Sequence, residues 1–177
     1  MTEGGGEACA GCAVSIATFG FGDDSSYQNT CEYIGMVLGV LVLVRLGVRQ
    51  VDVVIRGDST SALSWMEKEK VSGKAAMNAA LVLVSLFIRF GIEINYTVFL
   101  KGLHNHQADR LSRIIEKKMT LEQVMDMNGH SGAEVINLSD NVASAVLVDM
   151  CDPGRRFESD VEFKEVWVAI REAVESI

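Results

Sequence analysis

The sequence predicts an α/β fold in which helices cover both faces of one sheet. Three observations carry this expectation. Short β-branched, apolar runs alternate with longer apolar segments in the order strand, helix, strand, helix, helix, strand, helix. Glycines stand where those segments should stop, at Gly47, Gly57 and Gly91. The 177 residues are 49% hydrophobic and contain one proline, enough apolar material in a chain of this length to bury a core.

Taken in order, "CAVSIATFGF" is β-branched and aromatic and runs into the turn cluster "GDDSS", which reads as a strand, with a short partner strand through Tyr27. "NTCEYIGMVLGVLVLVRLG" follows as a helix, with Asn29 in the cap position and Glu32 three residues on. "VDVVIRGD" is a short apolar run bounded by Gly57, the pattern of a central buried strand. A helix from Ser59 to Lys68, the polar link "KEKVSGK" and a second apolar helix from Lys74 to Phe90 come next. Gly91 ends that helix, "IEINYTVFL" alternates as a strand does, and a last helix is expected through Ile115. These elements place a domain at residues 1–115. Residues 116–177 form an acidic, partly helical extension: "TLEQVMDM" and "DVEFKEVWVAIREAVESI" have helical character and "SAVLVDM" that of a strand.

Charge is distributed unevenly. The net charge is −8, yet residues 30–113 hold ten Lys/Arg against seven Asp/Glu, and the acidic excess lies in the flanks. A mildly basic centre is compatible with a polyanionic substrate. The start "MTEGGGEACAG" lacks the basic-then-apolar order of a secretory signal. The apolar stretches Tyr33–Val44 and Ala75–Ile88 fall short of the roughly 20 residues a bilayer requires. The expectation is a soluble, intracellular protein with no membrane segment. Its four cysteines (Cys9, Cys12, Cys31, Cys151) are then reduced thiols, and the pair Cys9/Cys12 has no partner pair at zinc-finger spacing.

Three carboxylates stand at element ends: Glu32 early in a helix, Asp58 just past a strand, and Asp109 early in another helix. Each has a structural explanation as a capping or helix-dipole residue, Glu32 with Asn29, Asp58 before Ser59, Asp109 with Asn105. Capping alone leaves unexplained why all three fall where a sheet could gather them, because open α/β sheets bind ligands at the carboxyl ends of their strands.

The segments "NTCEYIG", "IRGDSTSAL" and "KGLHNHQADRLSR" resemble, in order, three successive motifs of the type 1 ribonuclease H domain. The versions fused to reverse transcriptases in retroelements are the most similar, and the likeness covers roughly residues 8–113. The last motif, a Gly followed by N-x-x-A-D-x-L-S-R, is the most specific. The resemblance implies a ribonuclease H-like mixed sheet and an enzyme that cleaves the RNA strand of an RNA–DNA hybrid using two Mg²⁺, with Mn²⁺ as an alternative. It places Glu32, Asp58 and Asp109 at the positions of metal-binding catalytic carboxylates. Asn29, Ser59, Asn105 and His106 then lie where substrate would pass, and Lys68, Lys70 and Lys74 could meet its phosphates.

The family's first strand, which carries a further Asp, has no counterpart before residue 8, and Asp23 and Asp24 fall in the wrong turn. The expectation is a chain that begins after that strand, or one in which "SAVLVDM" replaces it with Asp149. The loop in which relatives carry a histidine is short here, with His104 and His106 flanking Asn105. Two other functions are compatible with the sequence. One is a degenerate, non-catalytic module that binds nucleic acid, or a protein partner through the amphipathic end (Phe163, Val166, Trp167, Ile170, Val174). The other is a resolvase- or integrase-type nuclease of the same fold.

Overall fold

The computed structural model describes residues 25–68, 71–114, 117–129 and 168. The expected strand at 12–21, the Cys9/Cys12 pair, Asp149 and the final amphipathic segment lie outside them. Helix α1 (Ser25–Arg45) leads to strand β1 (Val51–Gly57), helices α2 (Thr60–Lys68) and α3 (Lys74–Phe90), and strand β2 (Ile92–Phe99). A 3-10 turn at Gly102–His104, helix α4 (His106–Ser112) and helix α5 (Leu121–Met127) complete the order.

α1 begins four residues before the expected cap and already includes Tyr27, so no partner strand forms there. The run Ser25–Asn29 contains no Gly or Pro to stop a helix from extending backwards. α3 ends where expected: Gly91 adopts a left-handed conformation (φ 62) and its N–H returns to the Phe87 carbonyl. α4 is shorter than expected. It stops at Ser112, after which Arg113 and Ile114 bond three residues back, tightening the last turn.

β1 and β2 pair in parallel, which requires a long crossover, supplied by α2 and α3. The register slips once: Ile94 lies opposite Val53, but Tyr96 lies opposite Val54, leaving Asn95 as the extra residue of a bulge. The slip shifts the alternation of β2, so Tyr96 shares a face with Val54 and both are exposed. On the other face Val53, Ile55, Ile92 and Ile94 pack against one cluster. Its centre is Tyr33, Val37, Val40, Leu41 and Val44 of α1 against Ala76, Ala79, Val82, Leu83 and Leu86 of α3, with Ala62 and Met66 of α2. Each buried Val or Leu contributes roughly 1.5–3 kcal/mol, and the alanines let the two long helices approach closely. The expected cover on both faces is thus seen on one face only among the described residues. The cause is that the apolar stripes of α1, α2 and α3 all point into the same cluster.

Trp65 and the described methionines differ in how far they are buried. Trp65 meets Tyr33 edge to face, with ring centroids 5.8 Å apart, and Met66 is fully buried, while Met77 and Met127 are about half exposed. α5 carries a capping box, Thr120 with Gln123. It buries Val124 and Met125, and Arg110 of α4 donates to the Met127 carbonyl (2.8 Å) and to Asn128 (2.9 Å). No helix among the described residues is long and apolar enough to cross a membrane.

Candidate functional site

Polar side chains gather at the carboxyl ends of β1 and β2. β1 ends in buried Gly57, where an added Cβ would fall 2.7 Å from the Met36 methyl of α1. This small residue lets α1 pass close to the strand end and brings the turn bearing Glu32 alongside Asp58. The Leu100 N–H donates to the Gly57 carbonyl (2.8 Å), extending the contact between the two strand ends. The chain then turns through Gly102–His104 across Asp58, and an added Cβ at Gly102 would lie 3.4 Å from Asp58 Oδ2.

Ser59 caps α2. Its Oγ accepts from the Ala62 N–H (3.2 Å) and its carbonyl accepts from Leu63 N–H (3.0 Å). Asp58 is therefore not the cap of this helix. It is exposed, and its Oδ1 accepts a hydrogen bond from Asn105 Nδ2 at 3.1 Å. Asn105 sits at the N-cap position of α4, but its side chain is spent on Asp58 rather than on the helix. Nor does Asn29 cap α1: it lies inside that helix and accepts a hydrogen bond from Ser59 Oγ on Oδ1 (3.3 Å). Glu32, near the end of the second turn, is no member of a capping box.

The outcome is a solvent-open cleft of about 270 Å³ lined by Gln28, Asn29, Glu32, Asp58, Ser59 and Thr60. Four of these were expected from sequence. Gln28 was missed although it stands four residues before Glu32 and so on the same side of α1. Thr60 was missed although it follows Ser59 directly. Glu32 is half-buried, and its carboxyl is held above its ordinary range, first by burial and second by the nearby charge of Asp58. Among the described residues neither Glu32 nor Asp58 has an ion-pair partner.

The third carboxylate is placed differently. Asp109 is tied to the site through its backbone, its N–H donating to the Asn105 carbonyl (3.0 Å), but it is not among the residues lining the cleft. Its Oδ1 meets Arg113 Nε at 2.7 Å, an i,i+4 pair on α4. Among the described residues, no group of three or more His, Cys, Asp or Glu is placed to hold a metal ion. His104 and His106 are exposed and outside the cleft lining. Lys68 stands at the far end of α2 from Thr60, about 12 Å along a helix of this length, so it does not join the cleft. The Lys74 side chain, Lys70 and Asp149 lie outside the described residues.

The donor set of the cleft consists of carboxylate, amide and hydroxyl oxygens without thiol or imidazole, which suits a hard divalent cation such as Mg²⁺. Two carboxylates lining one cleft, with no ion-pair partner among the described residues, also favour positive charge there. No family model, curated protein or solved structure matches this chain.

Proposed function

We propose that this chain is a ribonuclease H-like nuclease domain of retroelement type, directed at the RNA strand of RNA–DNA hybrids and dependent on Mg²⁺. The observation that carries the reading is the shared cleft of Glu32 and Asp58, at the strand end where the sequence motifs placed both. Capping, the competing explanation, does not account for either residue: Glu32 is past the first turn of α1, and Ser59 caps α2 in place of Asp58. Glu32 and Asp58 would hold the cation, with Asp109 joining them in place of its bond to Arg113. When bound, Mg²⁺ supplies Lewis-acid activation of water and neutralises charge on the leaving oxygen. The side chains themselves concentrate negative charge in the cleft. The hydroxyl of Thr60 and the amides of Gln28 and Asn29 offer hydrogen bonds to the sugar and phosphate groups of a strand.

A second reading has one observation in its favour. The Asp109 carboxylate is engaged with Arg113 and lies outside the cleft lining, as in a module that binds nucleic acid, or a protein partner, without cutting. A labelled RNA–DNA hybrid separates the two. Mg²⁺-dependent cleavage that Asp58→Asn abolishes supports the nuclease; binding without cleavage supports the non-catalytic module; preference for branched or double-stranded DNA overturns both in favour of a different substrate.

A further inference from the structure

α1 and α2 are separate helices that approach one another at the cleft, and one carboxylate comes from each side of that junction. Glu32 is on α1, while Asp58 immediately precedes the start of α2. One side chain spans the gap. Ser59 Oγ accepts from the Ala62 N–H (3.2 Å) as the cap of α2 and, with its own proton, donates to Asn29 Oδ1 on α1 (3.3 Å). The hydroxyl is thereby used as acceptor and donor at once, and both residues are half-buried. Ser59 is the next residue after Asp58, and Asn29 is three residues, close to one turn, before Glu32. The link therefore joins the two backbones at the points from which the carboxylates project. A residue needed only as a helix cap would require no partner on α1.

We propose that the Ser59–Asn29 hydrogen bond is a strut that fixes the spacing of the Glu32 and Asp58 carboxylates, making both members of the pair positioning residues for divalent-cation binding. This goes beyond the nuclease reading and rests on it. Such outer partners orient ligands whose own charge tends to push them apart, and losing one typically weakens metal binding by about 10–100-fold.

The test uses the full chain and two readouts: Mn²⁺ affinity by electron paramagnetic resonance, and the urea midpoint in metal-free buffer. Asn29→Ala breaks the strut and leaves the α2 cap in place, so it separates positioning from capping. We expect Asn29→Ala and Ser59→Ala each to weaken Mn²⁺ binding about tenfold, the double variant to lose no more than either alone, and Ser59→Thr to recover most of the affinity. The urea midpoints should show the same non-additivity, which is the signature of a direct contact. Unchanged Mn²⁺ affinity in Asn29→Ala overturns the strut and leaves the nuclease reading standing, as do losses that simply add in the double variant. A wild-type chain that takes up no Mn²⁺ brings down the cation site itself, and the strut with it, whatever the urea cycle shows.

Discussion

The two ends of the β1–β2 pair are built from similar materials and put to different use. At the amino end, the backbone donors and the Arg49 guanidinium are turned inward to the structure, while Asp52 and Glu93 are exposed on the strands. Gln50 and Val51 N–H groups donate to the Phe90 and Gly91 carbonyls, closing the strand pair onto the end of α3. The Arg49 guanidinium lies 4.3 Å from the centre of the Phe90 ring and donates to the carbonyls of Val44 and Val48. At the carboxyl end, the polar groups partner one another and leave two carboxylates facing a cleft open to water. The amino end commits the Arg49 guanidinium to the fold and leaves the facing carboxylates Asp52 and Glu93 on the open strands. The carboxyl end sets the half-buried Glu32 carboxylate beside Asp58 in one cleft, where burial and like charge both cost stability. Carboxylates that share a cleft, one of them half-buried, suit a cation better than carboxylates on open strand faces.

The comparison breaks most visibly at Asp58. Asp58→Asn keeps the size of the side chain and removes the charge, so folding should be unaffected. Hybrid cleavage should fall by more than about 10²-fold, the scale on which removing one electrostatic stabiliser acts. A circular dichroism melt run beside the cleavage assay checks both halves of the expectation. Retention of cleavage would show that the open charge at this end has another purpose.

Arg49→Ala should do the reverse. It removes the contact with Phe90 and two bonds to backbone carbonyls, at a cost of roughly 1–2 kcal/mol in urea unfolding. Cleavage measured well below the melting temperature should stay at the wild-type rate, because Arg49 touches nothing at the other end. Gly91→Ala tests the same end through the backbone. Its φ of 62 costs a side-chain-bearing residue about 1–2 kcal/mol, and the new Cβ would sit 3.2 Å from Gln50 Cγ. Thermal unfolding should report a loss of that order or slightly less, since the Gln50 side chain can move aside.

The two ends also differ in how much of them the sequence disclosed. The amino end is governed by local rules, and Gly91 could be placed as a helix stop without knowing what surrounded it. β1, α2, α3 and β2 were legible for the same reason: each is bounded by Gly or by a change of hydrophobic period. The carboxyl end depends on contacts between distant residues, such as Asn105 with Asp58 and Ser59 with Asn29, which no local pattern specifies. Asn29 and Glu32 fit a capping box, yet so does much else, and nothing before them stops a helix, so α1 ran back to Ser25. The Asp109–Arg113 pair has the i,i+4 spacing of a helix ion pair, a local signal that the reading of Asp109 as a dipole or metal-binding residue left unused. The shift in β2's alternation came from the bulge at Asn95, a single inserted residue that an alternating pattern does not reveal.

The smallest effect expected is at Glu32, and its sign discriminates between the two views of this residue. Folding raises the affinity of the Glu32 carboxyl for its proton, through burial first and Asp58 second. Between the ordinary glutamate value of 4.5 and its higher folded value, the native state therefore holds more protons than the unfolded chain. Stability contributed by this group falls as pH rises through that window and stays low above it. Glu32→Gln removes the charge and keeps the shape. It should stabilise the metal-free protein at neutral pH by no more than about 1 kcal/mol, the scale of partly solvated charge interactions. The gain should disappear below the ordinary glutamate range, where the wild-type carboxyl is protonated in both states. Urea unfolding of both proteins across pH 3.5–7.5 measures it. A Gln variant that is less stable than wild type at neutral pH would mean that Glu32 is held by a favourable partner, and that the carboxyl end is a structural junction like the amino end.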